Sequence, residues 1–186
     1  MVFIVIDGLD ASGKSTQAFR LYNFLKSGGK RVFLRFHPSN DNFFGIKAKQ
    51  FLYSKGKSAH FAAALFYMVD VIRSILFYYW RKFDYIIFVR YLMGTAYLPS
   101  PLHRIAYHFF ALVVPKSNFM FFLDVTPEEA YKRIQHGRKR REIFESLKEL
   151  KRIRRKALFL ALIDEWKIVN ANKPAAEIAR EIKDQL

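Results

Sequence analysis

Five short, mostly apolar runs divide the chain: Val2–Ile6, Arg31–Arg35, Tyr85–Val89, Phe119–Leu123 and Trp166–Val169. None shows the in-out alternation of a sheet with one wet face, so the pattern predicts parallel strands covered on both sides. The intervals are long enough for helices, predicted from Lys14 to about Lys26, then over Asn42–Tyr53, Ser58–Trp80, Pro101–Val113, Pro127–His136, Arg141–Asp164 and Pro174–Asp184. Ser27-Gly28-Gly29 closes the first of these, because glycine accepts the backbone conformations in which helices end. Strand-helix alternation without a linker, repeat or low-complexity tract predicts one α/β domain over residues 1–186, three layers deep around a central five-stranded parallel sheet. Ligands of such sheets sit at the carboxyl ends of the strands, which directs attention to the residues just after each run.

After the first run, Gly8-Leu9-Asp10-Ala11-Ser12-Gly13-Lys14-Ser15-Thr16 completes the phosphate-loop pattern G-x-x-x-x-G-K-[ST]. The glycines let backbone amides converge on an anion, and the following helix adds its positive N-terminal end. Residues Gly8 to Thr16 are therefore the predicted ATP-binding loop. Lys14 reaches the β- and γ-phosphates, and Ser15 offers its hydroxyl to Mg²⁺. The strand before and the helix after supply the context that separates this motif from an ordinary Gly-Ser turn.

Composition narrows the setting. The chain is 52% hydrophobic with 20 Phe and 10 Tyr, ample for a core, and its lack of cysteine excludes disulfides and cysteine metal sites. Tyr107–Val114 stops at Pro115-Lys116 and Ala59–Ile72 is interrupted by Asp70, so no apolar stretch reaches the ~18 residues of a membrane span. Met1–Ile6 has no basic region or cleavage site and reads as a strand, so the expectation is a soluble, cytoplasmic protein. Formal charge is +16, from 32 Lys plus Arg against 16 Asp plus Glu. Anionic partners are expected. Nucleic acid is the usual inference from charge alone, but no zinc-finger, basic-zipper or RNA-recognition sequence accompanies it. The run from Lys151 to Lys156 reads first as a solvated helix face.

Motif order along nearly the whole chain resembles the thymidylate kinases, nucleoside-monophosphate kinases of the phosphate-loop class. Phe3 to Gln17 is similar to the family's opening segment, and Asp10 matches the acidic loop residue that binds the acceptor's 3′-hydroxyl; a carboxylate that only shapes the loop is the alternative. Leu34-Arg35-Phe36-His37-Pro38 resembles an Arg-Phe-Pro segment with His37 inserted. Arg35 then matches a phosphate-contacting arginine, against the alternative of an ordinary ion pair, and His37 reads as a loop residue. Ala64 to Asp70 is similar to the Leu-Leu-Phe-x-x-Asp-Arg helix, which assigns Phe66 to base stacking or, equally, to the core. Val71 follows Asp70 where the family has arginine, and Arg73 is the nearest substitute.

Phe88-Val89-Arg90-Tyr91 stands where the family carries Asp-Arg-Tyr, with valine in place of the aspartate linked to the Mg²⁺ shell. Arg90 and Tyr91 match, and Tyr97 lies near the base-side aromatic, as base contact or as packing. Gly137 to Glu145 occupies the position of a helical lid, set at about residues 136–146. With Ala11 in the loop, the resemblance assigns lid catalysis to Arg138, Arg140 and Arg141. The turn holding Asn170 and Asn172 resembles the one that cups adenine.

The resemblance implies a P-loop NTPase-like fold and transfer of the γ-phosphoryl of ATP to dTMP, giving dTDP and ADP in dTTP synthesis. Lys14, Arg90, Arg138, Arg140 and Arg141 are the catalytic candidates. Asp10, Arg35, Phe66, Asp70, Arg73, Arg90 and Tyr97 are those for the acceptor. Mg²⁺ and ATP are the expected cofactors, no membrane is expected, nucleic acid is not the favoured partner, and a homodimer stays open. Two other readings stand beside this one: a kinase for another nucleoside monophosphate or deoxynucleoside, and a nucleotide-regulated nucleic-acid-binding protein whose kinase site has decayed.

Overall fold

A computed structural model describes residues 1–54, 57–137 and 146–186. The strands are β1 (Val2–Gly8), β2 (Val32–Phe36), β3 (Tyr85–Val89), β4 (Phe119–Asp124) and β5 (Lys167–Asn170), all parallel, in the order β2-β3-β1-β4-β5. Each lies within two residues of its expected run. The apolar runs are buried because the sheet is covered on both faces: Ile4, Val5, Ile6, Ile86, Ile87, Phe88, Phe121, Phe122 and Leu123 have no exposed surface.

The helices are α1 (Lys14–Ser27), α2 (Phe43–Leu52), α3 (Lys57–Ser74), α4 (Leu102–Val113), α5 (Pro127–Gly137), α6 (Leu147–Ile163) and α7 (Ala175–Lys183). α1 packs on α7, while α6 packs on both α5 and α4. Asn42 and Ser146 cap α2 and α6 by accepting N–H bonds from Gly45 and Glu149 at 3.1 and 3.2 Å. The first five residues of the helix expected over Arg141–Asp164, Arg141 to Glu145, lie outside the described residues.

Two elements differ from the sequence expectation. The single helix expected over Ser58–Trp80 is an α-helix to Ser74 followed by a π-helical turn, Ile75–Tyr79. Ile75 stays buried while Leu76 and Phe77 face outward, a phase change that apolar periodicity in an aromatic-rich segment does not reveal. Leu92–Tyr97 forms a 3₁₀ helix that was not anticipated. By length and composition Ser58–Tyr79 could cross a bilayer, but here α3 packs on α2, with Phe66 stacked on Phe51 at 5.6 Å and Asp70 fully buried.

Strand register places the site. Ile6 of β1 is level with Val89 of β3, and Gly8 is level with Leu123 of β4, so the phosphate loop leaves the sheet where three strands end together. Gly8 has φ of 148°, and a Cβ there would sit 2.5 Å from the Leu123 carbonyl oxygen, so no other residue fits that exit.

Candidate functional site

Two clefts open at the carboxyl ends of these strands. The first, about 980 Å³, is lined by Ala11 to Gln17 with Arg90, Arg133, Ala171, Lys173, Ala175 and Ile178. The second, about 470 Å³, is lined by Asp10, Pro38, Leu52, His60, Ala63, Ala64, Tyr67, Arg90, Gly94 and Tyr97. Arg90 lines both.

In the first cleft the loop turns through Ala11 at φ 58° and Gly13 at φ 89°, left-handed conformations that aim successive amides inward. The Lys14 ammonium donates to the carbonyl oxygens of Gly8, at 3.0 Å, and Leu9. It is thus buried across the loop mouth, where phosphate oxygens would take over as acceptors. The Ser12 hydroxyl is buried without a hydrogen-bond partner among the described residues. Ser15 and Thr16 are exposed on the first turn of α1.

Arg133 on α5 was not singled out from the sequence. Its guanidinium donates to the Ala11 carbonyl at 3.3 Å, the Ala171 carbonyl at 3.2 Å and Glu129 at 2.8 Å, tying the phosphate loop to the turn after β5. The available signal was an arginine beside the buried stripe Pro127, Ala130 and Ile134. In that turn Ala171 and Lys173 line the cleft, while Asn172 accepts from the Thr126 N–H at 3.1 Å and Asn170 accepts from Asn172 at 3.0 Å. The two asparagines therefore shape the turn.

Two buried carboxylates organise the junction. Asp7 accepts N–H bonds from Gly8 at 2.9 Å, Tyr91 at 2.7 Å and Met93 at 3.2 Å, pinning the start of the 3₁₀ helix to the end of β1. Burial raises its pKa above the ordinary carboxylate value despite the opposing charge of Lys14 and those amides. Asp10 accepts from the Arg90 guanidinium at 2.5 Å and the Tyr97 hydroxyl at 2.9 Å. Burial alone would raise its pKa too, but Arg90 and Lys14 outweigh it and hold the carboxyl well below the usual range.

The remaining acceptor-side candidates are distributed differently. Phe66 does not line the second cleft; its ring stacks on Phe51, and Tyr67, the next residue, faces the cleft and donates to the Tyr91 carbonyl at 2.7 Å. One residue rotates a helix position by about 100°, which moves an aromatic from cleft to core. Gly94 is required opposite Tyr67, since a Cβ there would approach its ring to 2.2 Å. Arg35 makes a two-pronged pair with Asp41 at 2.6 and 2.7 Å and donates to Ser74 at 3.2 Å, away from both clefts. Asp70 is occupied by Ser39 and Asn42, each at 2.7 Å, and so fixes the loop before α2. Arg73 lies over the Phe77 ring at 4.7 Å and lines neither cleft. Val89 is buried, so β3 itself supplies no carboxylate at its end, where Asp7 of β1 instead accepts from the Tyr91 N–H. Arg138, Arg140 and Arg141 lie outside the described residues.

A glycine-rich loop between strand and helix, at the switch point of a five-stranded parallel sheet and beside a second cleft with a shared arginine, defines a P-loop NTPase-like protein built to bring two ligands together. The thymidylate kinase family model matches residues 6–182. The chain belongs to the thymidylate kinase family. It is 30% identical over 192 residues to the probable thymidylate kinase of Pyrobaculum calidifontis, covering 97% of this chain and 93% of that one. With the thymidylate kinase of Dictyostelium discoideum it shares 31% identity over 193 residues, covering 97% and 82%. Its fold is similar to that of the Candida albicans thymidylate kinase, with a TM-score of 0.75 at 20% identity over 98% of this chain and 89% of that one.

Proposed function

We propose that this protein transfers the γ-phosphoryl group of ATP to dTMP, giving ADP and dTDP. The observation that carries the reading is Arg90, a single guanidinium lining both clefts and braced by Asp10. The first cleft takes ATP: loop amides and Lys14 hold the polyphosphate, and Arg133, Ala171 and Lys173 border the path of the nucleoside. The second takes the acceptor. The base lies against Tyr67 and the small face made by Ala63 and Ala64, while Asp10 and Tyr97 meet the sugar. Arg90 then faces the acceptor phosphate on one side and the transferring group on the other.

Transfer needs no covalent intermediate. Alignment of the attacking acceptor oxygen with the γ-phosphorus and neutralisation of charge on the equatorial oxygens supply the acceleration. Lys14 and Arg90 contribute cations already directed at the junction, and Arg138, Arg140 and Arg141 belong to the same reading as lid residues. Ser15, exposed on the first turn of α1 and lining the first cleft, would hold a nucleotide-bound Mg²⁺ through its hydroxyl, and the ion would supply charge neutralisation on the phosphates. Asp7 and Asp10 are engaged elsewhere.

The basic run of α6 gives little support to nucleic-acid binding, because Lys151, Arg152 and Arg154 pair with Glu128, Glu149 and Asp124 at 2.8, 2.5 and 2.7 Å. The reading places the protein in the cytoplasm, and the exposed apolar residues Phe61, Leu65 and Leu76 support a homodimer in which a second copy covers the α3 face. The test is ADP release with Mg²⁺ and ATP against each nucleoside monophosphate in turn. dTMP should give the highest kcat/KM, and release with another monophosphate but none with dTMP would overturn the assignment.

A further inference from the structure

We infer that His37 is a positioning residue for phosphoryl transfer, holding the main chain of Arg90 so that its guanidinium stays between the two clefts. The inference rests on the function proposed above. His37 follows β2 in a loop, yet is only 1% exposed. Its Nδ1 lies 3.1 Å from the Arg90 carbonyl oxygen, its main-chain N–H donates to the Val89 carbonyl at 3.0 Å, and its ring meets that of Phe88 edge-on at 4.9 Å. The last two residues of β3 and the arginine that follows are thus all gripped by one residue.

The grip matters because Arg90 is at φ 64°, a left-handed conformation that an L-residue holds only when its surroundings enforce it. Three contacts do so. The Arg90 N–H donates to the Ile6 carbonyl at 3.0 Å, the guanidinium reaches Asp10, and the carbonyl accepts from His37. No other arginine or lysine lines the acceptor cleft among the described residues, so misplacing Arg90 leaves that cleft without its cation.

A carbonyl only accepts, so Nδ1 carries the proton, and Nε2 is buried without a partner among the described residues. Burial lowers the imidazole pKa to about 4, Asp70 opposing and Arg35 reinforcing it. The ring is accordingly neutral near pH 7, with one donor aimed at Arg90.

The experiment compares His37→Phe, which keeps the ring volume without the donor, with His37→Asn, whose amide nitrogen restores a donor near Nδ1. Melting curves establish that each variant is folded. His37→Phe should lower kcat about 10- to 100-fold with KM for ATP unchanged, the cost of a mispositioned catalytic group. His37→Asn should recover most of kcat even while melting earlier. A folded His37→Phe with wild-type kcat overturns the inference, as does a His37→Asn as slow as the phenylalanine variant. In an Arg90→Ala background His37→Phe should have little further effect; an undiminished loss there overturns it as well. Should His37→Phe not fold, the asparagine variant alone decides, near-native kcat supporting the role and a tenfold fall overturning it. Independently of turnover, ¹⁵N spectra of the wild type at pH 7 should show the Nδ1-protonated neutral tautomer, and an Nε2-protonated or cationic ring would contradict the proposal. That signal persists whichever acceptor the protein uses, so a failed dTMP assay and a failed role for His37 are told apart.

Discussion

The two clefts that meet at Arg90 offer their proposed ligands opposite means of capture. The donor cleft is a rim of main-chain amides and cations, with Lys14, Arg133 and Lys173 around a loop whose shape is set by Gly8, Ala11 and Gly13. The acceptor cleft is walled by Leu52, Ala63, Ala64, Tyr67 and Gly94, with charge gathered at the end formed by Asp10 and Arg90. A polyphosphate is captured by many weakly directional charge contacts, so its site depends on backbone geometry. A nucleoside must be met by shape, so its site depends on which side chain each helix turn presents.

The largest effect should separate the clefts most cleanly. Lys14→Ala should lower kcat by about 1000-fold or more, on the order of 4 kcal/mol of barrier, because in the proposed reaction its charge would face the transferring phosphates. Calorimetry should find dTMP affinity nearly unchanged in that variant, and an equal loss of dTMP binding would break the division between clefts.

A smaller effect sharpens the acceptor side. Tyr67→Leu should raise KM for dTMP about tenfold, near 1.4 kcal/mol, with KM for ATP unmoved. Phe66→Leu, one position away, should instead cost about 1 kcal/mol of stability and leave both constants alone, since its ring packs on Phe51. Steady-state kinetics and chemical denaturation of the pair check both statements. Reversal of the two phenotypes would restore Phe66 to the cleft.

The weakest effect concerns the carboxylates at the junction. Asp10 is held below its ordinary value of 3.8, so its contribution to stability is complete above about pH 4 and is lost as pH falls through the lowered pKa. Asp7 is raised above 3.8 and acts in the opposite sense, its cost appearing as pH rises through its folded pKa. Asp10→Asn should therefore flatten the acid limb of the stability curve below pH 4 while leaving the limb set by Asp7. Unfolding free energy measured from pH 2 to 7 should show this, and parallel acid limbs for variant and wild type would remove Asp10 from the account.

Legibility in the sequence follows the same division. The three central strands β1, β3 and β4 were readable because they are buried on both faces and so are almost wholly apolar, the edge strands β2 and β5 because they keep a short apolar run between charged or polar ends, and the phosphate loop because its glycines answer to backbone geometry alone. The π-helical turn at Ile75–Tyr79 was hidden because aromatic residues surround it on every phase. On the acceptor side the residue types could be read but not their register. Tyr67 and Phe66 are adjacent aromatics on α3, and only the packing of α2 decides which faces the cleft. Arg35 could be read as a cation at a strand end, but its partner Asp41 lies in a loop whose path depends on Asp70 gripping Ser39 and Asn42. His37 gave no motif, because its role is a single hydrogen bond to a main-chain atom 53 residues away.

The central claim is that the two clefts are halves of one reaction site joined at Arg90. Its most direct test is a calorimetric titration of wild type and Arg90→Ala with adenosine and deoxythymidine linked through an oligophosphate long enough to span both. The wild type should bind this compound far more tightly than ATP or dTMP alone, because the second contact is made within the complex. It should also exclude both nucleotides, and Arg90→Ala should lose most of the gain. Binding no tighter than ATP, with the dTMP site still open, would contradict the account.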